Sequence, residues 1–178
     1  MHVVVIYGTV EGQTRKIARN IAGTVQSEGH DVTVFDAADV EDVDLDIADA
    51  VIVAAPVHIG KYPTGLVHWV RKQQKALQTI PGAFVSVSMA SASAFPEEHR
   101  EVEKITSRFL EETGWNPVAV HQAAGALRYL EYDFFKRLVM RHIAHKEGGS
   151  TDTTHDHEFT DWAALSGFVV DFLKKAFG

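Results

Sequence analysis

A segment rich in glycine and threonine, directly after the first apolar run of the chain, could hold a phosphate group. The run covers residues 3–7, and the candidate binding residues that follow Gly8 are Thr9, Val10, Glu11, Gly12, Gln13 and Thr14. Glycine allows a tight turn with inward-pointing N–H groups, threonine adds hydroxyl donors, and the start of a helix attracts an anion. The spacing matches neither a Walker A loop nor the dinucleotide motif G-x-G-x-x-G. A monophosphate is therefore the favoured ligand, and an ordinary strand–helix turn is the alternative.

Two later segments contain residues that could contact a flat, aromatic ligand. The first follows an apolar run at 50–55 and includes Pro56, Val57, His58, Ile59, Gly60 and Tyr62; the second follows a run at 82–87 and includes Ser88, Met89, Ala90 and Ser91. Apolar and aromatic side chains can lie along a ring, whereas small residues permit close approach of the backbone. For Tyr62, packing in the core or on the surface is an equally good interpretation.

Helical patterns separate these apolar runs along the chain. Strands are expected at 3–7, 32–35, 50–55, 82–87 and 117–122, and helices after residue 14, within the acidic stretch 36–46, from Pro63, from Pro96 and over 161–177. Strict alternation of strand and helix predicts a parallel sheet with right-handed crossovers and helices on both faces. Ligands of such sheets bind beyond the carboxyl ends of the strands, which is where the three segments lie.

Composition limits the class of protein. The chain has 178 residues, 46% of them hydrophobic, a net charge of −7 and no cysteine. The length predicts a single domain over 1–178, and the negative charge argues against a nucleic-acid partner. Without cysteine, disulfides, thiol nucleophiles and cysteine-held iron–sulfur clusters are excluded, so redox chemistry requires a bound cofactor. The first residues do not have the pattern of a secretory signal, and we expect a cytoplasmic protein.

The string Thr-x-Glu-Gly-x-Thr at 9–14, after the first strand, resembles the FMN phosphate loop of the flavodoxin-like family. The resemblance implies an α/β fold: a three-layer α/β/α sandwich on a five-stranded parallel sheet of order 2-1-3-4-5. It also implies FMN as the cofactor, with the segments after strands three and four holding the isoalloxazine ring. Gly125, which follows the fifth strand, is counted with the cofactor-binding residues.

An unusually long segment, 123–160, separates the fifth strand from the final helix. It contains Ala-Gly-Ala-Leu-Arg-Tyr at 124–129, Gly-Gly-x-Thr-Asp-Thr at 148–153 and Thr-Asp-Trp at 160–162, with a helical pattern over 132–146. In this order the strings resemble the bacterial quinone-dependent protoporphyrinogen oxidases, flavodoxin-like proteins with a long helical insert. Five cations and two acids give residues 128–146 a net charge of +3, which suits a flat substrate that carries carboxylates or a membrane surface.

This resemblance implies FMN-dependent oxidation of protoporphyrinogen IX to protoporphyrin IX, with electrons passed to a quinone. Arg128 and Tyr129 are the candidate catalytic residues, and Arg137 and Arg141 are candidate partners of the substrate propionates. Three alternatives remain. They are a flavodoxin-type electron carrier, an NAD(P)H:quinone oxidoreductase on the same fold, and a binding module with a vestigial FMN site. The net charge of −7 favours the carrier, because flavodoxins meet their partners through an acidic rim.

Three further expectations concern metals, membranes and assembly. His142, His145 and the run 155–158 have spacings that could ligate a metal, but surface histidines are the simpler interpretation and no metal is expected. The basic segment is compatible with peripheral contact with the inner membrane face, although the family members considered are markedly basic and this chain is acidic. A homo-oligomer is compatible with the sequence as well.

Overall fold

A five-stranded parallel sheet forms the centre of the computed structural model, which describes residues 1–9, 12–38, 43, 45–127 and 157–178. The strands stand in the order β2-β1-β3-β4-β5, which confirms the predicted topology. They are β1 (His2–Tyr7), β2 (Asp31–Asp36), β3 (Ala50–Pro56), β4 (Gly82–Ser88) and β5 (Ala119–Ala124). The continuous apolar runs of β1, β3 and β4 are buried, as expected for strands covered on both faces.

Helices cover both faces of this sheet. They are α1 (Gln13–Ser27), α2 (Thr64–Lys72), α3 (Gln74–Leu77), α4 (Pro96–Thr113) and α5 (Trp162–Phe177). The helices α1 and α5 pack together on one face, where Ile17, Ile21 and Val169 join the core. On the other face Leu66, Trp69 and Phe109 of α2 and α4 form a second core. The predicted three-layer sandwich is thus confirmed.

Some boundaries differ from the predicted ones. The helix expected from Pro63 through Leu77 is interrupted at Gln73, whose φ of −92° and ψ of 7° end α2 before α3 begins. Among its described residues, the acidic stretch 36–46 contributes the last residue of β2, Asp36, and the start of a 3-10 turn at Leu45–Ile47. β5 is displaced toward the C-terminus relative to the predicted 117–122, because Ala123 and Ala124 continue the ladder opposite Val87 and Ser88.

A two-stranded ribbon joins the two described ends of the long segment after β5. Its strands, β6 (Ala126–Leu127) and β7 (His157–Glu158), pair antiparallel. The residues assigned to the insert at 123–124 belong to β5 instead. Phe159 N–H donates to Gly125 O at 3.1 Å, which fixes the ribbon beside the end of β5. Among the described residues no helix is both long and apolar enough to cross a bilayer.

Candidate functional site

Backbone contacts gather the loops that follow β1, β3, β4 and β5 at one edge of the sheet. Gly8 N–H donates to Ala54 O at 2.9 Å, Val57 N–H to Val87 O at 2.8 Å and Gly125 N–H to Ser88 O at 3.1 Å. Each bond joins the end of one strand to the end of its neighbour. Four of the segments in which the sequence places site residues therefore lie side by side, as the parallel topology requires.

The loop after β1 presents donors that suit a phosphate group. Gly12 has a φ of 89°, a conformation that favours glycine, and its N–H donates to Thr9 Oγ1 at 2.8 Å. Helix α1 starts directly afterwards, so its first N–H groups have no carbonyl partner within the helix. Thr14 lies in the same first turn and is buried. Backbone N–H groups and hydroxyls at a helix start form a typical anion site.

Two cations in the first turn of α1, both largely exposed, already have partners within this chain. Arg15 Nε donates to the Tyr7 hydroxyl at 3.0 Å, and its Nη2 lies 3.5 Å from Asp36 Oδ2. Lys16 Nζ lies 3.0 Å from Glu158 Oε2 on β7. Glu158 also accepts from the Trp162 indole N–H, and the Lys16 ammonium is the main cause that lowers the pKa of the Glu158 carboxyl. The donors for a phosphate are thus chiefly backbone and hydroxyl groups.

The loop after β3 is a tight turn with an exposed apolar tip. His58 and Lys61 exchange backbone hydrogen bonds of 2.8 and 3.1 Å across Ile59 and Gly60. Both central residues have positive φ, 48° for Ile59 and 69° for Gly60. A β-branched residue rarely adopts this conformation, which costs on the order of 1–2 kcal/mol. The Ile59 side chain is 86% exposed, so the turn holds a strained apolar group in solvent at the edge of the site.

Tyr62, predicted either to contact the ring of a ligand or to pack in the core or on the surface, lies in the core of this structure. Its hydroxyl donates to Ser86 Oγ at 2.8 Å and is hydrogen-bonded to Thr106 Oγ1 at 2.8 Å, and its ring packs against Phe84 and Phe109. Only 7% of the residue is exposed. Two hydroxyl partners inside the core satisfy the phenol, so burial stabilises the ring there rather than on the surface. Burial also raises the pKa of the Tyr62 phenol.

The loop after β4 folds back on itself through serine hydroxyls. Ser88 Oγ lies 2.8 Å from Ser91 Oγ and accepts the Ser91 N–H at 3.1 Å. A 3-10 turn at Ala90–Ala92 follows Met89. Gly125 packs next to this loop: a Cβ there would lie 3.5 Å from Val87 Cγ1 and 3.8 Å from Met89 Sδ. Because Gly125 has no side chain, its backbone can lie close to the loop after β4.

A cavity of about 420 Å³ opens between this loop, the end of β5 and the start of α5. Ser91, Gln122 and Thr160 contribute to its lining, together with His121 and Asp161. The His121 ring stacks on Phe168 with the centroids 4.9 Å apart, and burial lowers the pKa of this imidazole, although the Asp161 carboxylate opposes the shift. The cavity is a concave space next to the loops of the site, of the kind that small ligands occupy.

Thr160 makes two contacts that were not predicted from the sequence. Its hydroxyl donates to Ala124 O at 2.7 Å and accepts from Gln13 Nε2 at 3.0 Å, so it joins the end of β5 to the first residue of α1. The string at 160–162 drew attention to this position, but a contact between residues 147 positions apart cannot be inferred from local spacing. Six predicted site residues lie outside the described residues: Val10, Glu11, Arg128, Tyr129, Arg137 and Arg141.

Comparison with known proteins identifies the class to which this fold and site belong. The family model described as "Flavodoxin domain" matches residues 4–154, so the chain belongs to the flavodoxin domain family. FMN is the cofactor of this family, which confirms the cofactor predicted from the loop at 9–14. The donor set described above, with N–H groups at a helix start, suits the phosphate of FMN.

Two curated relatives share a more specific name. The chain is 29% identical over 170 residues to "Protoporphyrinogen IX dehydrogenase [quinone]" of Escherichia coli strain K12, covering 95% of this chain and 93% of that one. It is 31% identical over 170 residues to a protein of the same name from Leishmania major, covering 95% of this chain and 73% of that one. The predicted subfamily is thereby confirmed.

Solved structures agree with the fold. Oxidised flavodoxin 1 from Bacillus cereus superposes with a TM-score of 0.57 at 18% identity, covering 98% of each chain. A Streptococcus pneumoniae flavodoxin gives a TM-score of 0.55 at 16% identity, covering 98% of this chain and 99% of that one. At this level of identity the likeness concerns the architecture alone.

Proposed function

We propose that this chain is an FMN-dependent oxidoreductase that oxidises protoporphyrinogen IX to protoporphyrin IX and passes the electrons to a quinone. The observation that carries the proposal is the similarity to two relatives of that name along 95% of the chain. That similarity extends over 170 residues, so it includes most of the long segment after β5. The phosphate-type loop at the start of α1 supplies the cofactor site that the reaction requires.

The residues assigned to FMN fall into two groups. Thr9, Gly12, Gln13 and Thr14 with the first N–H groups of α1 would hold the phosphate, because they are the donors at that edge. The loops after β3 and β4 would enclose the ring, with Ile59 as the exposed apolar contact in place of Tyr62 and with Met89, Ala90 and Ser91 opposite. When bound, FMN supplies the capacity to accept hydrogen and electrons from the substrate and to return them to a quinone.

The protein's own contribution is to orient the substrate and to keep its reacting carbon near the cofactor. Arg128 and Tyr129 are assigned this role because they directly follow β6, which lies beside the end of β5. Arg137 and Arg141 are the proposed partners of the substrate propionates, since guanidinium groups bind carboxylates in a bidentate fashion. The cavity beside β5 would receive part of the tetrapyrrole that carries no carboxylate, because Asp161 and Glu158 line it.

The proposed reaction also bears on where the protein acts and whether it assembles. We propose a cytoplasmic protein that meets its quinone at the inner membrane face through the basic segment 128–146, which carries five cations and two acids. Contact of this kind is peripheral and sensitive to salt. Assembly into a homo-oligomer is proposed only as a second property, to be measured by light scattering on the FMN-bound protein.

An anaerobic titration tests the proposed reaction. The protein is reconstituted with FMN and mixed with protoporphyrinogen IX, while the visible absorbance of the flavin and the fluorescence of the porphyrin are followed together. We expect flavin bleaching with matching porphyrin formation, and recovery of the flavin absorbance on addition of a quinone. Tight FMN binding without bleaching by the porphyrinogen would instead favour a flavodoxin-type carrier, and rapid bleaching by NAD(P)H would favour a quinone reductase.

Substitution of Arg128 tests the assignment of the substrate residues. If this guanidinium orients the substrate, Arg128→Ala lowers kcat/KM for protoporphyrinogen by about tenfold or more, in line with the loss of a charge-assisted hydrogen bond. Arg128→Lys, which keeps the charge but loses the planar fork, gives an intermediate value. Unchanged turnover in Arg128→Ala would remove this residue from the site while leaving the proposed reaction in place.

A further inference from the structure

The base of the long segment after β5 is attached directly to the phosphate loop. Thr160, which follows β7, accepts a hydrogen bond from Gln13 Nε2 at 3.0 Å and donates one to Ala124 O at 2.7 Å. Gln13 is the first residue of α1, and Ala124 is the last residue of β5. A single hydroxyl therefore connects the strand end, the base of the insert and the helix start at which a phosphate would bind.

The two hydrogen bonds of Thr160 fix the orientation of its hydroxyl group. A hydroxyl has one hydrogen to donate, and Thr160 gives it to a backbone carbonyl, so its oxygen is oriented to accept from Gln13. The carbonyl that it uses belongs to Ala124, which stands opposite Ser88 of β4 in the ladder. Gly125 N–H bonds to Ser88 O as well. Hydrogen bonds thus connect Gln13, through Thr160 and the end of β5, to the start of the loop after β4.

A second contact runs parallel to the first. Lys16, at the end of the first turn of α1, pairs with Glu158 of β7 at 3.0 Å, and the Trp162 indole N–H donates to the same carboxylate at 2.9 Å. This ion pair is exposed, with 60% of the Lys16 side chain accessible, and exposed pairs contribute little free energy. The contact through Thr160 is partly buried, so it is the one expected to position the loop.

We propose that Thr160 is a positioning residue that couples FMN affinity to the base of the insert, by holding Gln13 and the first turn of α1 in the conformation that binds the phosphate. The inference rests on the proposed function only in taking FMN as the ligand of this loop. It assigns Thr160 a role outside direct contact with the cofactor.

A double-mutant cycle on FMN affinity tests this coupling. FMN is titrated with apoprotein, and the dissociation constant is read from quenching of flavin fluorescence. Thr160→Val, which replaces the hydroxyl by a methyl group, is expected to weaken binding about five- to tenfold, the usual worth of one hydrogen bond. Gln13→Met removes the partner with little change of shape and weakens binding at least as much. The double variant binds no more weakly than Gln13→Met, because both changes break one contact.

Two matched variants separate positioning from folding. Thr160→Ser keeps the hydroxyl and is expected to retain the affinity of the original protein. Ser166→Ala removes a hydroxyl between α1 and α5, away from Thr160, where Ser166 Oγ lies 3.4 Å from Asn20 Oδ1 and from Thr24 Oγ1. This variant is expected to leave FMN affinity unchanged. Circular dichroism of each apoprotein at the titration temperature checks that every variant is folded.

The outcomes distinguish this inference from the proposed function. Multiplicative effects of Thr160→Val and Gln13→Met, or a Thr160→Val protein with unchanged affinity, would overturn the coupling. Failure of Thr160→Ser to retain affinity would do the same, because it would show that the methyl group and not the hydroxyl matters. If the original chain binds no FMN at all, the proposed function itself fails.

Discussion

At the scale of single residues, the site combines a strained apolar group with polar groups that are satisfied inside the protein. Ile59 is held at a φ of 48° and is 86% exposed, so neither local conformational preference nor burial explains it. Strain of this kind persists where surrounding structure imposes it, and it is concentrated at functional sites. A ligand that covers Ile59 would provide the missing burial, which fits its place in the loop assigned to the flavin ring.

We expect Ile59→Asn to stabilise the protein and weaken FMN binding at the same time. Asparagine tolerates positive φ, so the free energy of unfolding of the apoprotein rises by about 1 kcal/mol in urea titrations. The lost apolar contact raises the FMN dissociation constant measured by fluorescence quenching. Ile47→Asn is the matched control, because Ile47 is 59% exposed without positive φ, and it gives neither effect. A less stable Ile59→Asn apoprotein would contradict the argument.

The second prediction at this scale concerns the pH dependence of stability through His121. Burial lowers the pKa of this imidazole below its ordinary 6.5, although the nearby Asp161 carboxylate opposes the shift. The unfolded chain therefore takes up a proton before the folded one, and the contribution of His121 to stability is present above pH ~6.5 and lost as the pH falls through the folded pKa.

His121→Phe removes this titration and keeps a ring to stack on Phe168. The expected result is a shallower loss of unfolding free energy between about pH 7 and pH 5 than in the original protein. Urea titrations at a series of pH values and constant ionic strength measure both curves. Parallel curves for the two proteins would show that His121 contributes nothing to the acid sensitivity of the fold.

At the scale of elements, the start of α1 decides whether the loop after β1 can hold a phosphate. Gly12 reaches a φ of 89° there, and Gly23 lies in the interior of the same helix with nothing within 4 Å of a Cβ placed on it. The two glycines thus differ in backbone requirement, because Gly12 directly precedes α1 in a left-handed conformation and Gly23 lies inside the helix. Their substitution by alanine separates the effect on the loop from the effect on the helix.

Gly12→Ala is expected to weaken FMN binding more than tenfold and to lower the free energy of unfolding by about 1 kcal/mol, since alanine disfavours positive φ. Gly23→Ala is expected to raise the free energy of unfolding by up to about 1 kcal/mol, because alanine is the better helix former, and to leave FMN affinity unchanged. Fluorescence titration and urea unfolding measure both quantities. Equal FMN affinities in the two variants would exclude the loop as the phosphate site.

The order of the elements could be predicted from the sequence, because buried parallel strands leave continuous apolar runs and amphipathic helices leave a period near four residues. The family and its cofactor could be predicted from the strings at 9–14 and 124–129. The core position of Tyr62 could not be chosen from the sequence, because an aromatic residue in a loop has the same local pattern whether it faces a ligand or enters the core. Its hydroxyl partners, Ser86 and Thr106, are distant in sequence, as is Gln13 from Thr160.

At the scale of the whole molecule, the charge is unevenly distributed. The chain carries −7 overall, but five cations and two acids give residues 128–146 a charge of +3, so the remainder carries −10. An anionic surface therefore repels most of the protein and attracts one segment. Such a distribution orients the chain with that segment toward the surface, and the balance between the two effects depends on the ionic strength.

We accordingly expect weak, salt-dependent binding of the FMN-bound protein to phosphatidylserine-containing vesicles. Sedimentation detects binding at about 0.01 M ionic strength and none at about 0.15 M, where the screening length falls below about 10 Å. Arg137→Glu combined with Arg141→Glu abolishes the binding at low salt. Lys174→Glu combined with Lys175→Glu, at the end of α5, changes the net charge equally and retains most of it. Equal losses in both double variants would mean that net charge alone governs the interaction, and binding that persists at 0.15 M would require an apolar anchor.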